Sequence, residues 1–277
     1  MMNTKEIRLI AMDMDGTLLN SKQQVSEENA AALRDAQRQG IHLAICSGRS
    51  PGDIGLFALE NGLENCSLLA LNGSCCTHGL DHAPFANHCI ETSALDAAVD
   101  ILREAGLLFC CFSQNRLAGI DSKFGEKWGY SPKHNGDPRA PEVFYGMEGY
   151  EQIKCTGINK IVCTSSNHDL LSKVRLALEQ VPNLDITSSW RDNLELMPAG
   201  CHKGTAVKEL AEEFGLTADE VMTFGDYDND EGMIRYAGMG IAMGNGSEKI
   251  RRMAKLITLT NDENGVAFAI RRYALKH

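Results

Sequence analysis

The chain has 277 residues, of which 43% are hydrophobic, 23% charged and 6% aromatic, a composition typical of a folded α/β protein with one large or two smaller domains. Its 37 acidic and 27 basic residues leave a net charge of −10, which argues against a nucleic-acid partner because proteins that bind nucleic acids carry basic surfaces. No apolar run reaches the roughly 20 residues of a membrane span and no apolar leader is present, so we expect a cytoplasmic protein without a membrane partner.

Ten cysteines are spread along the chain, and no pair of them forms a Cys-x-x-Cys motif. In a reducing compartment such residues serve as small buried hydrophobes, so we expect free thiols rather than disulfides or a zinc site. His78 and His82 have the spacing that binds zinc on a helix, but Gly79 lies between them and favours a hairpin.

The N-terminal part of the chain predicts a strand, a helix and a second strand. Residues 7–12 form an apolar run that ends at Asp13, and residues 41–46 form another. Between them, Ser26 is suited to an N-cap and Gly40 to the position just after a helix C-terminus. The apolar stripe predicted for this helix consists of Ala30, Ala31, Leu33 and Ala36.

The C-terminal part repeats this alternation. It predicts a helix over residues 203–214, a strand over 221–225, a short helix over 229–236 and a strand over 240–243. Such βαβ units are typical of a doubly wound, Rossmann-like α/β core with a parallel sheet, in which ligands bind at the carboxyl ends of the strands.

The middle of the chain differs in residue pattern from the two ends, and it contains helical segments such as residues 94–105 and strand-like segments such as residues 160–164. We therefore predict a second α/β domain, residues 85–190, inserted into a core domain made of residues 1–84 and 191–277.

Asp13 and Asp15 lie two residues apart at the end of a predicted strand, where their side chains point the same way, and Gly16 allows a sharp turn after them. Such a pair suits phosphoryl transfer, because one carboxylate can attack phosphorus while the other passes a proton to the leaving group. By itself the pair is more typical of a solvated turn with helix-capping acids.

A second acidic group, Asp226, Asp228 and Asp230, follows the predicted strand 221–225. Carboxylates at strand ends are ligands that Mg²⁺ prefers, and without a cation such a cluster would raise its own pKa values. An alternative is a solvated acidic loop in which Asn229 caps the next helix.

Lys203 stands at the start of a predicted helix, an unfavourable place for a cation unless an anion lies nearby. Together with the helix N-terminus and Ser47 it could bind phosphoryl oxygens. Lys203 could equally be a solvated lysine and Ser47 a turn residue, and Arg49 could contact substrate or lie on the surface.

Four segments of the chain carry these residues in a characteristic order: Met12-Asp13-Met14-Asp15-Gly16-Thr17-Leu18-Leu19, Cys46-Ser47-Gly48-Arg49, Cys201-His202-Lys203-Gly204 and Gly225-Asp226-Tyr227-Asp228-Asn229-Asp230. Supporting segments are Leu71-Asn72-Gly73, Leu194-Glu195-Leu196-Met197-Pro198 and Asn264-Gly265-Val266-Ala267. In these segments the sequence resembles the haloacid-dehalogenase-like (HAD) phosphatase superfamily and, within it, the Cof-type (class IIB) sugar-phosphatase branch.

The resemblance implies a role for each acidic residue. Asp13 would be the nucleophile and Asp15 the general acid and base. Mg²⁺ would be held by Asp13, the backbone carbonyl of Asp15 and Asp226, with Asp230 as a direct or an indirect ligand. An acid at position 15 also matches the phosphatases and mutases rather than the ion-pumping ATPases of the superfamily.

The resemblance further implies that Ser47, Gly48, Lys203 and Asn229 contact phosphate, and that the inserted domain is a cap that selects the substrate. We therefore predict a Mg²⁺-dependent phosphatase for small phosphomonoesters, either sugar phosphates or phosphorylated cofactors such as pyridoxal phosphate or FMN. Two alternatives stay open: a phosphomutase or phosphotransferase of the same fold, and a non-catalytic protein that binds a phosphorylated metabolite.

Overall fold

The computed structural model describes residues 5–120 and 136–276. In these ranges the chain forms two β-sheets with helices packed on them, which confirms the predicted α/β fold with a doubly wound core. No helix in the described ranges is both long and apolar enough to span a bilayer.

The strands are β1 (Leu9–Met12), β2 (His42–Cys46), β3 (Cys66–Ala70), β4 (Cys75–Thr77), β5 (Pro84–Asn87), β6 (Leu108–Ser113), β7 (Arg116–Gly119), β8 (Glu142–Tyr145), β9 (Lys160–Thr164), β10 (Leu184–Thr187), β11 (Asn193–Pro198), β12 (Val221–Gly225), β13 (Met239–Ala242) and β14 (Leu256–Ile257). The α-helices are α1 (Glu27–Arg38), α2 (Pro51–Glu60), α3 (Thr92–Glu104), α4 (Gly146–Lys154), α5 (His168–Leu178), α6 (Lys203–Glu213), α7 (Glu231–Tyr236), α8 (Glu248–Met253) and α9 (Gly265–Tyr273).

The first sheet has eight strands in the order β14-β13-β12-β1-β2-β3-β4-β5. Its strands from β14 to β3 are parallel, whereas β4 and β5 are an antiparallel addition at one edge, so the sheet is mixed rather than purely parallel. Alternate residues of β1 face opposite sides: Ile10 packs in one apolar cluster with α1, α2 and α9, and Leu9 packs in another with α6 and α7. Helices on both faces bury the central strands of this sheet, which are mostly apolar.

The second sheet has six strands in the order β10-β11-β9-β6-β7-β8, and all neighbours are antiparallel except β7 and β8. Helices α3, α4 and α5 cover one face. On the other face Cys110, Phe112, Leu117 and Val162 join the apolar cluster of the first sheet. The second sheet therefore packs its uncovered face against the first domain.

The helix predicted between the first two strands begins and ends as expected. The Ser26 hydroxyl accepts a hydrogen bond from the amide of Asn29, and Gly40 has a φ of +81°, which a glycine adopts at little cost. The predicted apolar stripe was wrong at one position, since Ala32 is buried and Ala31 only partly so. Residues three and four apart share a helix face, and here Ala32 and Ala36 lie on the inner one.

The predicted domain limits, 84/85 and 190/191, stay a prediction. Strand β5 pairs with β4 of the first sheet, and β11 pairs with β9 of the second. Because strand pairing ties residues to their sheet, we propose that the chain crosses between domains within residues 88–91 and 199–202, somewhat later than predicted at each junction.

Helices α6 and α7 approach closely because glycines stand where they touch. A Cβ atom added to Gly204 would lie 2.3 Å from the backbone carbon of Gly232. This contact holds the first turn of α6, which carries Lys203, against the segment that follows β12.

We predict that Gly204→Ala lowers the free energy of unfolding by about 1–3 kcal/mol, because the added methyl group forces the two helices apart. Urea denaturation monitored by circular dichroism would measure it. The control is Lys208→Ala, which removes an exposed side chain from the same helix and should change stability by less than about 0.5 kcal/mol. Equal stability of the Gly204→Ala variant and the unmodified chain would show that the helices have room to separate.

Candidate active site

Four adjacent parallel strands end at the same edge of the first sheet and are followed by polar residues. Asp13 follows β1, Ser47 follows β2, Asn72 lies just beyond β3, and Asp226 follows β12. The Asp13 amide donates to the Phe224 carbonyl at 3.1 Å, which continues the pairing of β1 with β12. The site predicted from strand ends is therefore assembled by the order β12-β1-β2-β3.

The turn after β1 brings the first and last predicted segments into contact. Gly16 has a φ of +84°, and a Cβ atom there would lie 2.4 Å from Oδ2 of Asp226. The hydroxyl of Thr17, which is fully buried, donates to Oδ1 of Asp226 at 2.9 Å. Gly16 is thus required both by the backbone conformation and by the close approach of this carboxylate.

Lys203 is fully buried and lies between two carboxylates. Its Nζ donates to Oδ1 of Asp13 at 2.5 Å and to Oδ1 of Asp230 at 2.6 Å. The N-cap of the helix is His202, whose Nδ1 accepts hydrogen bonds from the amides of Gly204 and Thr205. The alternative of a solvated lysine is therefore wrong.

Asp230 stabilises the acidic segment through hydrogen bonds of both its carboxylate oxygens. Its Oδ1 accepts from Lys203, and its Oδ2 accepts from the amides of Asp226 and Tyr227 at 2.8 and 3.1 Å. These bonds hold a 3₁₀ turn over residues 228–230, and α7 starts only at Glu231. The helix predicted from residue 229 is therefore shorter than expected.

The carboxylates of Asp13, Asp226 and Asp230 each place one oxygen within 4.8 Å of the others. Burial raises the pKa of Asp13 well above its usual range, although Lys203 opposes the shift. Burial, and then the nearby Asp230, raises the pKa of Asp226 to about 7. Burial alone would lower the pKa of Lys203, but its two carboxylate partners outweigh burial and raise it. This cluster can hold a metal ion, since a dication would relieve the remaining repulsion between hard oxygen donors.

Asp15 and Arg49 form a two-point ion pair beside this cluster. Arg49 Nε donates to Oδ2 of Asp15 at 3.0 Å, and Nη2 donates to Oδ1 at 2.7 Å. The Asp15 side chain is 48% exposed and that of Arg49 is 35% exposed, so both face the open side of the site. Arg49 thus contacts Asp15, a partner that the sequence did not indicate.

The other predicted phosphate-binding residues surround the same strand ends. The Ser47 hydroxyl, which is buried, accepts from the Arg49 amide at 3.3 Å. The carbonyl of Gly48 accepts from Nζ of Lys160 at 3.0 Å, and the Asn229 side chain donates to Oδ1 of Asn72 at 3.4 Å. The nine predicted site residues therefore lie at the same end of the first sheet. Asp13, Asp226 and Asp230 cluster with Lys203, and Arg49 joins Asp15 and Ser47. Gly48 contacts Lys160, and Asn229 contacts Asn72.

Four residues of this region were not predicted as site residues: Thr17, Asn72, Lys160 and Glu195. Asn72 has a φ of +57° and donates to the buried carboxylate of Glu195. Both residues lie in segments that supported the family resemblance, and Thr17 lies in the first motif. For Lys160 the sequence offered one indication, a charged residue at the start of an otherwise mostly apolar strand.

The zinc-like spacing of His78 and His82 has a structural explanation. His78 follows β4 in the β4–β5 hairpin, and its ring stacks on Phe85 with centroids 4.7 Å apart and shares a hydrogen bond with Glu213. In residues 5–120 and 136–276, the one group of three or more possible metal ligands is the aspartate cluster, without histidine or cysteine. All ten cysteines are free, and eight of them are buried, whereas Cys89 is half-buried and Cys155 is exposed.

Comparisons with known proteins agree with this geometry. The family model described as haloacid dehalogenase-like hydrolase matches residues 10–270. The phosphatase YwpJ of Bacillus subtilis is 31% identical over 94% of this chain and 98% of its own length. The 5-amino-6-(5-phospho-D-ribitylamino)uracil phosphatase YcsE of the same organism is 32% identical over 98% of this chain and 97% of its own length.

A solved structure shows the same architecture. A haloacid dehalogenase-like hydrolase from B. subtilis superposes with a TM-score of 0.86 at 27% identity, over 96% of this chain and 100% of that one. A match over nearly the whole length, with relatives above 30% identity, leads to one conclusion: this chain belongs to the haloacid dehalogenase-like hydrolase family, among its phosphatases.

Proposed function

We propose that the chain is a Mg²⁺-dependent enzyme that hydrolyses phosphomonoesters of small metabolites through an aspartyl-phosphate on Asp13. The observation that carries the proposal is the buried contact of Lys203 with Asp13 and Asp230 beside Asp226. Three carboxylates and one ammonium group leave a net negative charge, which a divalent cation would offset. With the cation bound, the site could accept a phosphoryl group.

In the proposed reaction a carboxylate oxygen of Asp13 attacks phosphorus, and the bond from phosphorus to the leaving oxygen breaks. Asp15 gives its proton to that oxygen and then accepts a proton from the water that attacks the aspartyl-phosphate. That water attack releases inorganic phosphate and restores Asp13. Arg49 holds both oxygens of Asp15 in its carboxylate form, so we assign Arg49 to orienting Asp15 as the base. We propose that this pair opens when Asp15 carries the proton for the leaving oxygen.

The donor set fits Mg²⁺, which prefers carboxylate and carbonyl oxygens. We propose that Asp13, Asp226 and the backbone carbonyl of Asp15 hold the ion, which would neutralise charge on the transferred phosphoryl group. Asp230 has both oxygens engaged by Lys203 and by two backbone amides, so we assign it to orienting the site rather than to direct coordination.

For phosphate binding we propose Ser47, Gly48, Lys203 and Asn229, which lie around the same strand ends. The positive charge of Lys203 and the hydroxyl of Ser47 are suited to phosphoryl oxygens. As substrates we propose sugar phosphates or phosphorylated cofactors such as pyridoxal phosphate or FMN, in a cytoplasmic setting. The relative named for a ribityl phosphate supports a phosphate on a polyhydroxylated chain.

A panel of phosphorylated metabolites with Mg²⁺, scored by free phosphate and ranked by kcat/KM, tests the function. Chromatography of the same reactions separates hydrolysis from transfer of the phosphoryl group to another hydroxyl. Saturable ligand binding without turnover across the panel would overturn the proposal.

We predict that Asp13→Asn lowers kcat by about 10⁴-fold or more, because the amide cannot act as the nucleophile. Phosphate release measures the loss, and circular dichroism checks the fold. Asp228→Asn is the matched control, since Asp228 lies in the same acidic segment but pairs with Lys249 on the surface. Substantial turnover by the Asp13→Asn variant would rule out the covalent mechanism.

We predict that Thr17→Val raises the Mg²⁺ concentration needed for half-maximal activity by about 10-fold, because Asp226 loses the hydrogen bond that orients it. Activity measured across a Mg²⁺ titration gives this constant. Thr17→Ser keeps the hydroxyl and should stay within about 2-fold of the unmodified enzyme. If valine and serine behaved alike, the hydroxyl would have no part in metal binding.

We predict that without divalent cations the melting temperature falls as the pH rises from about 4 to 7. The raised pKa values of Asp13 and Asp226 mean that the folded chain binds more protons than the unfolded chain between about pH 4 and 7, so stability decreases through that window. The raised pKa of Lys203 adds stability that is lost only far above this range. Thermal unfolding in EDTA measures the effect, and Asp226→Asn should flatten it. A melting temperature that rises with pH would contradict the assigned protonation.

A further inference from the structure

A buried ion pair lies in the second sheet, on the face turned toward the first domain. Nζ of Lys160 is 3.0 Å from Oε2 of Glu195, and their side chains are 3% and 2% exposed. Lys160 begins β9 and Glu195 lies on the adjacent β11, opposite Val162. Removing two charges from water is costly, so such a pair requires good partners for its remaining hydrogen-bonding groups.

Apolar side chains of the same sheet flank the pair. Cys110, Phe112, Leu117 and Val162 of the same sheet pack into the apolar cluster of the first domain. Burial lowers the pKa of Lys160, against the pull of Glu195, while Lys160 keeps the pKa of the Glu195 carboxyl below its usual value despite burial. The two groups are therefore a charged pair inside a largely apolar contact between domains.

Both members of the pair bind the first domain. Nζ of Lys160 donates to the Gly48 carbonyl at 3.0 Å, and the side-chain amide of Asn72 donates to Oε2 of Glu195. A Cβ atom on Gly48 would lie 2.7 Å from Nζ of Lys160, so a larger residue there would displace the ammonium group from its present position. The ion pair thus contacts two loops that follow adjacent strands, β2 and β3.

Those two loops are themselves joined. The backbone amide of Asn72 donates to the Ser47 carbonyl at 2.9 Å, and Oδ1 of its side chain accepts from the Asn229 side chain at 3.4 Å. Ser47, Gly48 and Asn229 are three of the four residues that we propose for phosphate binding. Lys160 therefore contacts the loop of Ser47 and Gly48, which we call the phosphate-binding loop. Glu195 contacts Asn72, which is hydrogen-bonded to that loop.

The Glu195 carboxylate has no capacity left for a substrate. Its Oε1 accepts from the Ser189 hydroxyl at 2.5 Å and from the Asn193 amide at 3.0 Å, and its Oε2 receives Lys160 and Asn72. With four partners on two oxygens, Glu195 can act on the reaction only through its neighbours.

We propose that Lys160 and Glu195 are positioning residues: Lys160 holds the Gly48 carbonyl, and Glu195 holds the side-chain amide of Asn72. The phosphate-binding loop therefore takes its active shape only when the second sheet packs against the first domain. This inference rests on the proposed function. It adds to the second domain, beyond the selection of substrates, a role in forming the phosphate site.

The test compares Lys160→Met, Glu195→Leu and the double variant K160M/E195L. Each single variant leaves an unpaired buried charge and should lose stability, whereas the apolar double variant should regain most of it. If the pair positions the loop, the double variant should still show kcat/KM about 10–100-fold below the unmodified enzyme, with p-nitrophenyl phosphate as substrate. Arg116→Met, which removes an exposed pair with Glu142 in the same sheet, is the control and should keep full activity.

Calorimetric binding of inorganic phosphate in the presence of Mg²⁺ separates the two proposals. Unmodified protein that binds phosphate but releases none from any ester would refute the phosphatase function. The positioning role would still stand if the double variant bound phosphate about 10-fold more weakly or worse. A stable double variant with activity and phosphate affinity within about 2-fold of the unmodified protein would overturn the positioning role. Absence of both phosphate binding and turnover in the unmodified protein would overturn both proposals.

Discussion

The site depends on one buried cation, the ammonium group of Lys203 between the carboxylates of Asp13 and Asp230. Without it, Asp13, Asp226 and Asp230 would lie within 4.8 Å of one another with no positive charge among them. The lysine reduces the formal charge of the cluster from −3 to −2, which leaves the folded chain able to accept a dication. The same contact joins residues 190 positions apart and so ties α6 to the end of β1.

Several local features serve this contact. A lysine in the first turn of a helix is unfavourable by itself, but here two carboxylates compensate for the helix dipole. His202 satisfies the first free amides of α6, and Gly204 lets the helix lie directly against Gly232. On the opposite side, Gly16 makes room for Asp226. The glycines and the cap therefore serve the close approach of charged groups from distant segments.

The second sheet adds a different constraint. Its helices cover one face, and the other face buries apolar side chains against the first domain. Lys160 and Glu195 interrupt that apolar face where it meets Gly48 and Asn72. The contact between the domains thus combines non-directional apolar packing with a few directional hydrogen bonds, and only the latter can fix the position of a loop.

The sequence by itself determined the α/β class, the strand ends and the cap at Ser26, because periodicity and caps report local geometry. It also predicted Asp13, Asp15, Lys203 and Asp226 as site residues, because each lies in a short motif. It could not assign the partners of these residues. The pairing of Arg49 with Asp15, the place of Glu195 beside Asn72 and the approach of Lys160 to Gly48 were decided by tertiary structure alone. Such contacts span 34 to 123 positions. The first depends on the strand order within one sheet and the other two on how the two sheets pack, and no local pattern encodes either.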